Sequence, residues 1–155
     1  MNYNYVMRKC NIIVDMLYDV DIENSKCADC GDELPEWAVI NKGILICLEC
    51  SGIHRSLGLH ISKVRSCKLD YWEPELTQIM MSLGNSKINS IFEANLDRTK
   101  YQKPLLDREK FIKLKHEQKM FMTTADPRAS LNEVNVPNKN SKHNSFCYYQ
   151  LKTMK

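Results

Sequence analysis

The stretch CADCGDELPEWAVINKGILICLECSGIHR, residues 27–55, contains two Cys-x-x-Cys pairs with sixteen residues between them. The pairs are Cys27/Cys30 and Cys47/Cys50. Two residues between thiols let both sulfurs face one ion from a tight turn, and two such pairs at this interval are typical of tetrahedral zinc coordination. Because four thiolates leave no position for a catalytic water, the pattern predicts one structural Zn²⁺.

Two other interpretations of these cysteines are weaker. A redox Cys-x-x-Cys motif explains one pair and not both, and four unrelated reduced thiols would rarely fall at matched intervals. The chain has seven cysteines, an odd number that disfavours a disulfide framework in a reducing compartment. The three outside the pairs are interpreted as reduced thiols: Cys10, Cys67 and Cys147.

An arginine follows the second pair after four intervening residues, in the run SGIHR that ends at Arg55. A metal would fix Cys50 and, through it, the turn and helix that carry this arginine. A guanidinium with little local acid to pair with, held on a rigid module, suits insertion into an anionic site of another protein. From the residues alone, a surface arginine bound to a nearby carboxylate explains the position equally well.

Length and composition predict one soluble globular domain. The chain has 155 residues, 43% hydrophobic and 26% charged, enough for a single modest core. No apolar run approaches the roughly 18 residues of a membrane span. The N-terminal stretch MNYNYVMRKC lacks the apolar segment and cleavage site of a secretory signal, so we expect a cytoplasmic protein.

The net charge of +3 is too small to indicate nucleic-acid binding by itself, but its distribution is informative. Between residues 27 and 50 acids predominate over the single base Lys42; they are Asp29, Asp32, Glu33, Glu36 and Glu49. Between residues 51 and 70, one acid, Asp70, accompanies four bases: Arg55, Lys63, Arg65 and Lys68. A basic surface is therefore expected beside an acidic one.

Hydrophobic periodicity predicts helices over residues 4–18, 51–59 and around 88–96, and strands over 43–47 and 64–70. Pro74 suits the first turn of another helix, which ends before Gly84. A last, weaker helix is expected over residues 107–121, with Phe111, Leu114 and Phe121 inward and its lysines outward. Beyond Met122, Asn, Ser, Pro and Thr dominate. We predict a domain over residues 4–121 and a disordered tail over 122–155.

Several spaced motifs of different chemistry match one pattern. They are the C-x2-C-x16-C-x2-C spacing with Arg55, Trp37, Gly-x-x-x-Cys at 43–47, SGIHR-x-LG at 51–58, SKVRS at 62–66, LD-x-W at 69–72 and Gly84-Asn85. Together they resemble the zinc-finger domain of the Arf GTPase-activating proteins, most closely the branch that carries PH and ankyrin segments. The similarity covers roughly residues 10–121 and ends in REKFIKLKHEQKMF, which resembles the family's closing basic helix.

With the elements above, the resemblance implies an α+β fold, a small zinc-finger module whose short three-stranded sheet is surrounded by five to six helices. It implies that one structural Zn²⁺ is held by Cys27, Cys30, Cys47 and Cys50. It also implies that Arg55 is an arginine finger, the catalytic group supplied in trans to a partner GTPase. Four further residues stand where the family contacts the GTPase's switch regions and positions the finger: Trp37, Leu48, Leu69 and Asp70.

Each of the four also has a plain structural interpretation. Trp37 suits a half-buried core aromatic, and Leu48 and Leu69 suit ordinary packing. Asp70 suits a local cap or a salt bridge to Arg55, and the salt bridge would also position the finger.

The implied partner is an Arf-family small GTPase in its GTP-bound state. We expect the chain to bind it as a monomer, in the cytoplasm, in the course of vesicle trafficking. Contact with membranes is expected to be transient and to pass through the GTPase. The bases Lys63, Arg65 and Lys68 suit a solvated face or contact with the GTPase or an anionic lipid surface.

Three positions depart from the family's pattern. Val39 replaces a serine near the expected interface, Lys42 stands where an apolar residue is usual, and His116 replaces a common aromatic. None removes a metal ligand or the finger, so we expect activity. His54 is expected to form hydrogen bonds within the domain, since thiolates already fill the metal's coordination sphere.

Two other functions remain open. A nucleic-acid-binding zinc finger is disfavoured, because the cysteine region is acidic and no basic helix presents groove-reading side chains at regular spacing. A scaffold that binds a GTPase without accelerating hydrolysis is kept open by Val39 and Lys42, although retention of Arg55 argues against it.

Overall fold

A three-stranded antiparallel sheet separates two hydrophobic clusters in the computed structural model of this chain, which describes residues 13–102 and 107–124. The strands lie in the order β2–β1–β3, where β1 is Trp37–Val39, β2 is Ile44–Ile46 and β3 is Val64–Ser66. Outside the described residues lie positions 4–12 of the expected first helix, Cys10, Cys147 and the expected tail from residue 125 onward.

The two faces of the sheet follow from strand alternation. On one face, Ala38 and Leu45 pair across β1 and β2 and pack with Val14, Leu17 and Met80. The other face carries Val39, Ile44 and Ile46, which belong to the larger cluster. That cluster also contains three of the paired cysteines and the aromatic residues of the C-terminal part. The cysteine cluster therefore lies within the main core.

The helices surround the sheet and confirm the α+β class. None of the helices in the described ranges is both long and apolar enough to traverse a bilayer. In chain order they are α1 (helical over residues 13–20), a 3₁₀ turn at Ile22–Ser25, α2 (Leu48–Ser56), α3 (Pro74–Ser82), α4 (Asn85–Phe92) and α5 (Arg108–Ile112), which continues into a π-helical turn at Lys113–Glu117.

Helix α2 begins three residues earlier than the periodicity predicts. Cys47 is its N-cap, and the Cys47 sulfur accepts a hydrogen bond from the backbone N–H of Cys50 at 3.5 Å. A thiol in this place satisfies a helix-terminal donor that serine or aspartate usually serves. The second cysteine pair therefore lies in the first turn of the helix that carries Arg55.

The junction between α3 and α4 fixes the edge of the sheet. The buried amide of Asn85 accepts from the Leu45 N–H at 2.7 Å and donates to the Lys26 and Glu23 carbonyls at 2.7 and 3.1 Å. Gly84 precedes it with a φ of 101°, a backbone conformation that glycine adopts without strain. One side chain thus ties α4 to strand β2 and to the segment before the first cysteine.

The prediction that the lysines of the last helix point outward is wrong for Lys115, whose side chain is fully buried. Lys115 stands four positions after Phe111, so both side chains lie on the same helix face. The ammonium is tolerated there because carboxylates from distant segments surround it, as described below. We call residues 108–117, which comprise α5 and the π-helical turn, the closing segment.

Two departures from the family pattern are also buried. Val39 is 0% exposed on the core face of β1, so its side chain packs in the core and is not available for direct contact with a partner. Lys42, in the turn between β1 and β2, is 6% exposed, with its ammonium 5.1 Å from the ring centroid of Phe92. Burial lowers the pKa of Lys42 to about 8.

Candidate functional site

The four paired cysteines converge on one point of the main core. Their sulfurs all lie within 4.8 Å of one another, and those of Cys30 and Cys47 are 3.6 Å apart. Four thiolates at about 2.3 Å from a tetrahedral ion would be separated by about 3.8 Å. The donor set and its spacing therefore fit a single tetrahedral metal ion.

Two local structures hold these sulfurs. The first pair lies on a turn in which Gly31 donates to the Cys27 carbonyl at 2.9 Å, with Gly31 at a φ of 82°. The second pair opens α2, where helix-terminal N–H groups favour negative charge on sulfur. Cys27, Cys30 and Cys50 are buried, whereas Cys47 is partly exposed.

The protonation of the thiols shows how strongly they interact. Hydrogen bonds from Cys27 and Cys50 lower the pKa of Cys30 to about 5. The pKa of Cys50 is raised instead, because a thiolate at Cys50 would face the sulfurs of Cys27 and Cys30. At this separation, four sulfurs become thiolates together only around a cation. The cluster therefore has the chemistry of a metal site.

A second buried cluster centres on Asp29, between the cysteines of the first pair. Its Oδ2 lies 2.8 Å from His54 Nε2, and its Oδ1 lies 2.8 Å from His116 Nε2 and 2.9 Å from Lys115 Nζ. Lys115 Nζ also donates to Glu93 and Asn89 at 2.8 Å and to the Ala28 carbonyl at 3.0 Å. The ammonium and the two histidine rings therefore share the carboxylate of Asp29.

The charges in this cluster are mutually dependent. Burial would raise the pKa of Asp29, but Lys115 and the histidines hold it well below its usual value. Burial would lower the pKa of Lys115, but Asp29 and Glu93 raise it. Burial lowers the pKa of His116 to about 3, so its ring is neutral and donates from Nε2. We call Asp29, His54, Glu93, Lys115 and His116 the buried ion network.

The network anchors the helix that carries Arg55. His54 is 0% exposed, and its two ring nitrogens lie 2.8 Å from Asp29 and from the Ser62 hydroxyl. This confirms the prediction that His54 forms hydrogen bonds within the domain. Since neighbouring side chains on a helix diverge by about 100°, fixing His54 inward directs the next residue, Arg55, toward solvent.

Arg55 is exposed and its guanidinium lies over an indole ring. The Cζ of Arg55 is 4.5 Å from the ring centroid of Trp37, within the range of a cation–π interaction, and Nη1 is 3.4 Å from the Ser51 hydroxyl. Trp37 is half-buried against the main core. The indole therefore contacts one face of the guanidinium and leaves the opposite face of the guanidinium accessible to solvent.

The other predicted contact residues lie at the same end of the sheet. In the antiparallel register, Trp37 at the start of β1 stands beside Ile46 at the end of β2 and Ser66 at the end of β3. Leu48 and Leu69 follow those two ends and are 64% and 73% exposed. Asp70 accepts a hydrogen bond from the Ser66 N–H at 2.7 Å, which is the local cap expected from the sequence. We call Trp37, Leu48, Arg55, Leu69 and Asp70 the Arg55 surface.

The bases that follow the cysteines have partners within the domain. Arg65 pairs with Glu73 at 2.8 Å and donates to the Tyr71 carbonyl at 3.0 Å. Lys68 forms an ion pair with Glu36. These pairs reduce the free positive charge beside the Arg55 surface.

Comparison with known proteins places this geometry in a family. Residues 12–125 match the family model ArfGap, described as "Putative GTPase activating protein for Arf". The chain therefore belongs to the ArfGap family, in agreement with the resemblance found in the sequence.

The relatives are much longer proteins. The chain is 52% identical over 107 residues to the human Arf-GAP with coiled-coil, ANK repeat and PH domain-containing protein 3. The matched segment covers 66% of the chain and 13% of the relative. The chain is 50% identical over 103 residues to protein 2 of the same name in Oryctolagus cuniculus, covering 64% and 13%. The chain thus spans about an eighth of the length of these relatives, 13% in each case.

Solved structures support the fold. The ArfGap domain of HIV-1 Rev binding protein superposes with a TM-score of 0.65 at 22% identity, over 79% of this chain and 95% of that one. The ArfGap domain of human RIP gives a TM-score of 0.63 at 21% identity, over 81% and 93%. At these identities the likeness concerns the fold.

Proposed function

We propose that this chain stimulates GTP hydrolysis by an Arf-type small GTPase in its GTP-bound state, by supplying Arg55 in trans as an arginine finger. The observation that carries the proposal is the exposed guanidinium of Arg55 lying on Trp37, with exposed leucines at the same end of the sheet. Membership of the ArfGap family supports the choice of partner.

The proposal includes one structural Zn²⁺ held by Cys27, Cys30, Cys47 and Cys50. The spacing of these thiols and the lowered pKa of Cys30 support it, and four sulfur ligands leave no position for a substrate or water. When bound, the ion would supply folding free energy. Its functional effect is indirect, because Cys47 caps α2 and Arg55 follows it about two turns further along the helix.

The chemistry of an arginine finger is electrostatic. As the γ-phosphoryl group is transferred to water, charge on its oxygens must be stabilised, and an inserted guanidinium meets it with fixed, directional donors. Such fingers are worth about 10³ to 10⁵ in rate, or roughly 4 to 7 kcal/mol in barrier height. Lysine offers the charge without the planar fork.

The neighbours of Arg55 have matching roles in this proposal. Trp37 holds the guanidinium extended, which reduces the conformational entropy lost when it enters the nucleotide site. Leu48 and Leu69 offer exposed apolar area to a partner. Asp70 keeps the turn after β3 in shape through the Ser66 N–H.

We expect this module to act in the cytoplasm as a monomer and to meet membranes transiently through its membrane-associated GTPase. The pairing of Arg65 and Lys68 with acids of the same domain leaves less free charge for direct lipid attraction. The GTPase therefore supplies the membrane contact in this proposal.

The test is single-turnover GTP hydrolysis by Arf-type GTPases, with wild-type chain beside Arg55→Lys. The variant should keep its fold and its binding to the GTP-loaded GTPase but lose about a hundredfold or more of the stimulation. Arg98→Lys makes the same chemical change at another exposed arginine and should leave stimulation unchanged. Full stimulation by folded Arg55→Lys would refute the finger, and binding without stimulation by the wild type would indicate a scaffold.

A further inference from the structure

Acidic side chains surround the two cysteine pairs. Asp29 lies within the first pair, Asp32 follows it by two positions, and Glu49 lies within the second pair. Four thiolates around one Zn²⁺ add a net charge of about −2 at the same place. Negative charge gathered at one place, partly buried and partly at the surface, favours nearby cations.

The closing segment supplies those cations. Lys115 Nζ lies 2.9 Å from Asp29 Oδ1, inside the buried ion network. Seven positions earlier, Arg108 Nη2 lies 3.0 Å from Asp32 Oδ2, and Arg108 Nη1 forms an ion pair with Glu49. The guanidinium of Arg108 therefore spans the two cysteine pairs, bound to an acid beside each.

The side chain of Arg108 is also enclosed beside the two cysteine pairs. Cys30 and Cys47 are the two cysteines whose sulfurs are 3.6 Å apart, and Cys47 is the partly exposed member of the four. The Arg108 side chain is itself only 24% exposed, so it covers the cluster on that side.

We propose that Arg108 is a metal-retaining residue, whose guanidinium bridges Asp32 and Glu49, the acids beside the two cysteine pairs, and limits access to the sulfur cluster on that side. This inference rests on the Zn²⁺ of the proposed function. Release of the ion begins when a chelator or proton reaches an accessible sulfur, and a fixed cation beside that sulfur lowers its electron density and blocks the approach. Arg108 acts on retention and does not touch the reacting phosphate.

The planar fork is essential to this role. Arginine presents several donors in a fixed arrangement, so one side chain can bind Asp32 and Glu49 simultaneously. A lysine ammonium is a point charge on a flexible stem and would satisfy one side of the bridge. Charge alone is therefore insufficient in this position.

The experiment measures zinc release from the full, zinc-loaded chain into excess 4-(2-pyridylazo)resorcinol, which chelates the ion and reports it by absorbance. Arg108→Gln should release zinc about ten- to a hundredfold faster than wild type, the factor by which metal affinity typically falls when groups that support metal ligands are removed. Arg108→Lys should fall between them. Lys110→Gln removes the same charge from an exposed position of α5 and should match wild type.

Release from Arg108→Gln and Arg108→Lys at the rate of Lys110→Gln would overturn the inference. If Arg108→Gln does not fold, Arg108→Lys decides the question, since it keeps the positive charge. Metal content measured before the challenge separates the two proposals. A wild-type chain without zinc overturns both the metal of the proposed function and this inference, whereas equal release from loaded chains overturns the inference alone.

Discussion

The guanidinium of Arg55 lies over the indole of Trp37, with Cζ 4.5 Å from the ring centroid. The two residues come from different elements, Arg55 from α2 and Trp37 from β1, so their contact depends on how the helix packs on the sheet. Everything that orients α2 therefore also orients the guanidinium.

Removing the indole should weaken stimulation of GTP hydrolysis. Cation–π contacts at exposed sites contribute about 0.5–1 kcal/mol, so Trp37→Leu should lower the single-turnover rate at saturating chain by about two- to fivefold. Leucine keeps apolar packing against the main core. A folded, zinc-loaded Trp37→Leu with the wild-type rate would show that the ring does not position Arg55.

Removing the metal should unfold the module. The cysteine cluster lies within the main core, and zinc contributes on the order of 10–16 kcal/mol in small zinc modules, as much as the whole stability of a typical domain. Cys47→Ala, or chelation verified by metal analysis, should abolish the cooperative thermal transition seen by circular dichroism. An unchanged melt after verified metal loss would contradict a structural role.

Replacing Lys42 should stabilise the domain at neutral pH. Its folded-state pKa of about 8 lies below the ordinary value of 10.5, so below pH 8 a buried charge lowers stability. The difference corresponds to about 3 kcal/mol, an upper estimate for the gain in Lys42→Met.

The pH dependence of stability tests the sign of the effect of Lys42. Between pH 8 and 10.5 the unfolded chain binds more protons at this position, so wild-type stability should rise with pH while Lys42→Met lacks that contribution. Urea unfolding at pH 7 and pH 10 measures both. Lys100→Met, an exposed lysine near the Tyr101 ring, is the control and should change stability by less than about 0.5 kcal/mol. A less stable Lys42→Met at pH 7 would show that the ammonium is needed where it lies.

Truncating Asn85 should destabilise the domain strongly. Asn85→Ala leaves the Leu45 N–H and the Lys26 carbonyl without their partner in a buried place, which costs about 2–4 kcal/mol. Asn95→Ala removes an exposed hydrogen bond to the Met122 carbonyl and should cost less than about 1 kcal/mol. Equal urea midpoints for the two variants would mean that Asn85 does not tie α4 to β2.

Local rules predicted the parts of the fold that short sequence signals specify. The cysteine spacing predicted the clustering of the four paired cysteines, and Pro74 and Gly84 bracketed α3 as expected. The pattern failed for β1, because three residues, Trp37–Val39, show no recognisable alternation by themselves. These residues form a strand because they pair with β2 on one side and β3 on the other, which only the folded structure shows.

The candidate site was predictable to the same degree. Spacing predicted that the four paired cysteines lie together, but the buried ion network was missed, since Asp29 and Lys115 are 86 positions apart in the chain. A lysine in a basic helix is ordinarily solvent-exposed. A detectable signal was its position four residues after Phe111, on the apolar face of the closing segment.

That separation has a consequence during synthesis. At about 5–20 residues per second, some 4–17 seconds pass between the emergence of Asp29 from the ribosome and that of its ammonium counterpart 86 positions later. For this interval the first two thiols stand beside an unneutralised carboxylate and lack the helix that eventually covers them. The buried ion network, and with it the anchoring of His54 through Asp29, should therefore form late, once translation has delivered Lys115.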